Sequence, residues 1–174
     1  MKKQSSLLLI LMLLLVLAGC GAKPAPTEPP ELTVTNAQGA SITAMGGSYD
    51  WDYEAGGGQR TSAIACGMHP LDETLRDSTP ALEMPIAVSA SFYYTVTLDF
   101  GDCAPDSVTL RYWNEQCWGD TQATAEKLTV QRQDDGTYTV ELFPSVGIFE
   151  VDAQWDAEDY CGRAFYSFCT KAAE

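Results

Sequence analysis

From Leu32 to Thr170 the chain is a succession of short runs rich in β-branched and aromatic residues, broken by Gly, Pro, Asp and Asn. Such a pattern cannot assemble a long apolar stripe on a helix, so its hydrophobic groups have to be buried by pairing strands. The runs are Leu32 to Asn36, Ser41 to Met45, Ser48 to Tyr53, Thr61 to Cys66, Phe92 to Phe100, Ser107 to Asn114, Lys127 to Gln133, Thr137 to Phe143, Ile148 to Trp155 and Arg163 to Thr170. Alternation is clearest late in the chain. Tyr138, Val140 and Leu142 oppose Thr137, Thr139 and Glu141, while Phe149, Val151, Ala153 and Trp155 oppose Glu150, Asp152 and Gln154. A wet face and an apolar face on each strand predict antiparallel sheets packed in two layers. Asp134-Asp135-Gly136 predicts a hairpin turn, and Gly56-Gly57-Gly58 a flexible hairpin tip. Met68 to Pro85 interrupts the rhythm with three prolines and predicts a loop crossing between sheets, with at most one helical turn over Leu71 to Arg76. Hydrophobic residues make up 45% of the chain, enough for one core, so residues 32–174 are expected to form a single all-β sandwich.

The first 19 residues have a different purpose. Lys2 and Lys3 precede an apolar run from Leu7 to Ala18, whereas a membrane-spanning helix needs about 20 apolar residues. This is the pattern of a secretory signal. Leu17-Ala18-Gly19-Cys20, directly after it, resembles the lipobox of bacterial lipoproteins. That resemblance implies cleavage before Cys20, acylation of its thiol and attachment to the outer face of the cell membrane. Two acyl chains at about 0.8 kcal/mol per buried methylene hold a protein without further membrane contact. Residues 20–31, with Pro24, Pro26, Pro29 and Pro30, then read as a semi-extended tether spanning roughly 35 Å at about 3.1 Å per residue.

After residue 19 the chain keeps eight of its ten cations and all 24 acids, a charge of −16 on 155 residues. An anionic bilayer repels such a surface, and nucleic acid is excluded as a partner because phosphate binding requires a basic face that no segment supplies.

The second half of the chain is similar in part to immunoglobulin and fibronectin type III domains. Val108-Thr109-Leu110-Arg111-Tyr112-Trp113 resembles their strand with a buried tryptophan. Leu142-Phe143-Pro144 followed by Phe149-x-Val151-x-Ala153 resembles the passage into their sixth strand, with Phe149 where those families carry a corner tyrosine. The resemblance implies an immunoglobulin-like architecture and no activity. Met68-His69-Pro70-Leu71, Cys117-Trp118-Gly119-Asp120 and the closing Tyr-Ser-Phe segment resemble small uncharacterised lipoproteins of Firmicutes.

Under that architecture the loop after Phe100 and the loop before Arg163 share one end of the sandwich, which makes Cys103 and Cys161 the candidate disulfide; the alternative is five free thiols. Cys103 with Cys117, and Cys161 with Cys169, flank strands that hold them over about 20 Å apart, beyond the roughly 7 Å that a bridge tolerates. No C-x-x-C pair exists, so no metal and no cofactor is expected. Cys66, Met68 and His69 gather soft ligands within four residues, but packing by Cys66 and Met68 and a hydrogen bond from His69 to a loop carbonyl are the simpler expectation.

Acids cluster at Asp50 and Asp52, at Asp99 and Asp102, and at Asp156, Glu158 and Asp159. A pair at suitable separation could serve a small carboxylate- or metal-dependent hydrolase of the cell envelope, the alternative function. On a chain this acidic, solvated loops are the simpler account, and no catalytic residue is assigned. Tyr49, Trp51 and Tyr53 alternate as a core stripe. Trp118 and Tyr160 fall in loops where sandwich domains place recognition residues and are the candidate ligand contacts. The sequence therefore predicts a lipid-anchored extracytoplasmic β-sandwich that binds a cell-envelope protein or glycan.

Overall fold

A computed structural model describes residues 24–85, 93–143 and 145–173. The leader, the Leu17–Cys20 motif, Phe92 and Pro144 lie outside the described residues. Twelve strands form: β1 (Thr33–Asn36), β2 (Ser41–Thr43), β3 (Met45–Glu54), β4 (Arg60–Ala65), β5 (Ala81–Met84), β6 (Tyr94–Asp99), β7 (Ser107–Asn114), β8 (Glu126–Leu128), β9 (Val130–Arg132), β10 (Tyr138–Leu142), β11 (Gly147–Asp156) and β12 (Tyr160–Ala172). The fold is all-β, built from two sheets whose neighbours are antiparallel in every pair but one. No helix among the described residues is long and apolar enough to cross a membrane.

The first sheet runs β2-β1-β6-β10-β9 and the second β4-β3-β12-β11-β7-β8. Single residues join strands across the layers: Ala44 separates β2 from β3, and Thr129 separates β8 from β9. At both places one stretch of chain bends from one sheet into the other, which closes the two long sides of the sandwich. The run from Lys127 to Gln133, expected as one strand, is therefore two, split at that corner.

The main core lies between the layers. Val34, Val96, Leu98, Val140 and Leu142 of the first sheet meet Trp51, Leu110, Phe149, Val151, Ala153 and Phe168 of the second. Gly162 makes room for the largest of these rings. Its φ is 155°, and a Cβ there would sit 2.2 Å from the Asp50 carbonyl oxygen and 3.0 Å from the Trp51 ring.

Three expectations are corrected. The Met68–Pro85 stretch contains a strand, β5, which pairs parallel with the end of β12, Cys169 opposite Ala81 and Ala172 opposite Met84. Its four residues bury Leu82 and Met84 but lie among prolines and are too few to show a rhythm. The helical turn before it does form, as a 3₁₀ turn over Glu73–Leu75 whose first N–H groups are capped by Asp72. Trp113, expected between the layers, is buried on the opposite side of its sheet, where Leu71 from the β4–β5 connection and Ile148 of β11 enclose it. The wet face expected on β11 is confined to Gln154, since Glu150 is only 8% and Asp152 6% exposed.

The two hairpin tips form as expected. Gly136 has φ 88° between β9 and β10, and Gly56, Gly57 and Gly58 all take positive φ between β3 and β4. Residues 24–31 lie on the domain. Trp51 Nε1 donates to the Pro26 carbonyl at 2.8 Å and Tyr166 Oη to the Pro30 carbonyl at 2.7 Å. Burial holds the Tyr166 hydroxyl far above the usual tyrosine range, so it stays a donor. The segment enters beside Tyr53, Gly56 and Asp159, at the end of the sandwich that carries the β3–β4 and β11–β12 tips.

Candidate functional site

The opposite end carries an aromatic cleft. Tyr112 near the end of β7 and Phe149 near the start of β11 are register partners, their ring centroids 5.3 Å apart. Gly147 lets Tyr112 lie there, since a Cβ at that position would come within 2.5 Å of its ring. Phe149, placed where related-looking domains carry a corner tyrosine, instead stacks on Phe168 at 4.9 Å. From the other sheet, Leu142 of β10 pairs with Tyr94 of β6. The adjoining residues, Phe143 and Tyr93, therefore emerge side by side, their rings edge to face at 6.0 Å. Tyr93 is 58% and Phe143 41% exposed, with exposed Val146 nearby in sequence.

Tyr93, Tyr112, Leu142, Phe143 and Phe149 line a cavity of about 180 Å³ that Glu126 and Glu141 also line. Glu126 stands opposite Tyr112 in the β7–β8 pairing, and Glu141 accepts a hydrogen bond from Thr95 Oγ1 at 2.6 Å. No lysine, arginine or histidine is among the lining residues. Exposed rings beside an apolar hollow are what a recognition site requires, because their burial by a ligand releases surface that folding left wet.

A second cluster occupies the outer face of the large sheet. Asp152 accepts from Arg163 Nε at 2.7 Å and Nη2 at 2.6 Å, and from Arg111 Nη2 at 3.2 Å; Glu150 accepts from Arg111 Nη1. Both guanidinium groups also approach the Phe165 ring, Arg163 at 4.7 Å and Arg111 at 5.9 Å. Burial pushes the Glu150 carboxyl above its ordinary range, opposed by Arg111 and more weakly by His69. Both carboxylates are taken up by guanidinium groups. The arrangement is that of an ion-paired clamp across β7, β11 and β12.

The sequence-based candidates lie elsewhere. Trp118 packs against the Leu71–Trp113–Ile148 cluster, and Tyr160 stacks on Trp51 at 5.3 Å. Cys103, in the β6–β7 loop, and Cys161, the second residue of β12, do lie at one end of the sandwich. The Cys103 carbonyl accepts from Trp155 Nε1 at 2.8 Å, and its side chain hydrogen-bonds Tyr160, whose hydroxyl is held above its usual range first by burial and then by that thiol. Cys161 instead meets Arg60 Nη1 at 3.7 Å, and all five described cysteines are free. Successive strand residues face opposite sides, so Tyr160 and Cys161 cannot both turn toward Cys103. The Cys169 thiol, half-buried against the Trp113 cluster, is pushed up to about 11 by that burial and stays protonated at neutral pH.

Cys66 and Met68 are exposed, contrary to the expected packing. His69 Nδ1 accepts from the Leu71 N–H at 3.2 Å where a bond to a carbonyl was expected. Among the described residues no group of three or more His, Cys, Asp or Glu could hold a metal ion. The acidic clusters serve local structure. Asp52 accepts from Ser62, Asp99 from the Gly101 N–H, and the Glu158 and Asp159 carbonyls from Arg60 and the Glu54 N–H. Tyr49, Trp51 and Tyr53 belong to the core, as their alternation predicts.

The cleft residues are spread over 57 positions, from Tyr93 to Phe149, and no spacing connects them. Phe143 at the end of its run was the available signal, an aromatic immediately beyond the last core position of β10. No family model matches this chain, and comparison with curated proteins and with solved structures returns no similar protein.

Proposed function

We propose that this chain is an extracytoplasmic lipoprotein, anchored to the outer face of the cell membrane through an acylated Cys20, whose sandwich binds a cell-envelope partner through the aromatic cleft. The observation that carries this reading is the cleft itself: two exposed rings, Tyr93 and Phe143, at the mouth of a hollow floored by Tyr112 and Phe149. Its position supports the same reading. The chain enters the domain at the far end from the cleft, beside Gly56 and Asp159, so an N-terminal anchor leaves the aromatic rings pointing away from the bilayer. An immunoglobulin-like architecture is supported by the strand order, β1-β6-β10-β9 facing β8-β7-β11-β12, with β2 to β5 as an insertion between the first two strands of that plan.

The test uses the full chain in its native membrane with a C-terminal tag. A clickable fatty acid should label the wild type and not Cys20→Ala. Cross-linking and capture should recover one stoichiometric envelope component with the wild type and lose it with Tyr93→Ser/Phe143→Ser, two changes of exposed side chains. An unlabelled wild type refutes the anchor, and undiminished capture by the double variant refutes the cleft.

A further inference from the structure

We infer that the cleft receives the side-chain ammonium group of a lysine on a polypeptide partner, an inference that rests on the cleft being the binding site. Aromatic faces carry negative charge density and attract cations, most strongly where water is displaced. Here the hollow combines the rings of Tyr112 and Phe149, the exposed rings of Tyr93 and Phe143, and two carboxylates, Glu126 and Glu141. No lining residue is cationic, and the whole chain carries −14, so nothing nearby neutralises those carboxylates from within the site. Both acids are exposed at the rim of the hollow, where a neutral apolar ligand would make no use of their charge and a cation would.

Among cations, the shape favours lysine. Leu128 and Leu142 continue the apolar wall beyond the rings, and a cavity of about 180 Å³ is narrow for a sugar ring but accepts an unbranched aliphatic stem. A lysine side chain buries its methylenes along such a wall while its ammonium reaches the acids. Complementary charge also speeds encounter with a basic partner, an effect that falls with added salt.

The probe is a blocked peptide, Ala-Ala-Lys-Ala-Ala, titrated into the full chain in detergent micelles while the amide resonances of Phe143, Ser145 and Phe149 are followed by NMR. The expected Kd is on the order of 1 mM for so small a ligand. Replacing the lysine by norleucine should weaken binding about 10-fold, as should Glu126→Gln/Glu141→Gln, and raising salt from about 50 to 300 mM should weaken it several-fold. Equal binding of the norleucine peptide, an unaffected double variant, or no response to the lysyl peptide overturns the inference. So does tighter binding of choline, of an arginyl peptide or of an N-acetylglucosamine oligomer at the same amides. Any of those ligands seated in the cleft leaves the cleft as the binding site, which falls only if Tyr93→Ser/Phe143→Ser still captures the envelope partner.

Discussion

Trp51 shows how much one side chain can organise. Its ring meets Trp155 edge to face at 5.1 Å, stacks with Tyr160, and donates to the Pro26 carbonyl, so one residue ties β3 to β11, β12 and the N-terminal segment. The position opposite must then be empty, and Gly162 supplies the space. Gly162→Ala should destabilise the fold by roughly 2 to 3 kcal/mol, because the clash is with backbone and a packed ring and neither can yield. Urea unfolding measures it. A loss below about 0.5 kcal/mol would mean that β3 can shift away from β12. Trp51→Phe keeps an aromatic ring in the core but removes the Nε1 donor and part of the apolar volume. It should cost about 1 kcal/mol from the lost hydrogen bond, in addition to the smaller ring.

At the scale of elements, β11 explains both what the sequence reveals and what it hides. Period-two alternation located the strand to within a residue at each end, because its inward positions are uniformly apolar and their pattern is local. What lies against the outward positions is not local. Glu150 and Asp152 are covered by Arg111 of β7 and by Arg163 and Phe165 of β12, and no periodicity reports a partner 40 residues away in the chain. The packing of Trp118 on the Trp113 cluster and of Tyr160 on Trp51 is hidden for the same reason, since position along the chain cannot say which neighbour a ring meets. The two carboxylates should respond oppositely to neutralisation. Burial raises the Glu150 carboxyl, so the folded state favours its protonated form. That contribution is fully present below the unfolded value, about 4.3, and is lost as pH rises through the folded value. Glu150→Gln, always neutral, should therefore gain in Tm relative to wild type as pH is raised from about 4 to 7. Asp152→Asn removes the charge and turns one of the two acceptor oxygens into a donor, and should cost about 2 to 3 kcal/mol at pH 7, less than a fully buried pair would because Arg163 keeps contact with water. Thermal melts of both variants across that pH range check the two signs.

For the molecule as a whole, the N-terminal segment decides where the domain stands. A tether free from Gly21 to Glu31 would let the sandwich tumble at about 35 Å from its anchor. With Pro26 and Pro30 bonded to Trp51 and Tyr166, only the residues before Pro26 remain to span the distance, about 19 Å from Cys20 at roughly 3.1 Å per residue. Were Cys20 acylated as proposed, the end with Glu54 and Asp159 would face the membrane, and acidic side chains there would disfavour contact with an anionic surface. The segment thus belongs to the folded unit, and a chain starting at Leu32 is not equivalent to one starting at Ala22. Truncation to Leu32 leaves the Trp51 indole and the Tyr166 hydroxyl without their acceptors. At about 1 kcal/mol for each hydrogen bond, and about 2 to 4 °C per kcal/mol for a domain of this size, the shorter chain should melt roughly 4 to 8 °C lower. Calorimetry on the two chains measures the difference. Equal Tm values would mean that the segment rests on the surface without contributing to it, and the proposed anchor would then hold the domain by a free tether that does not fix which way the cleft faces.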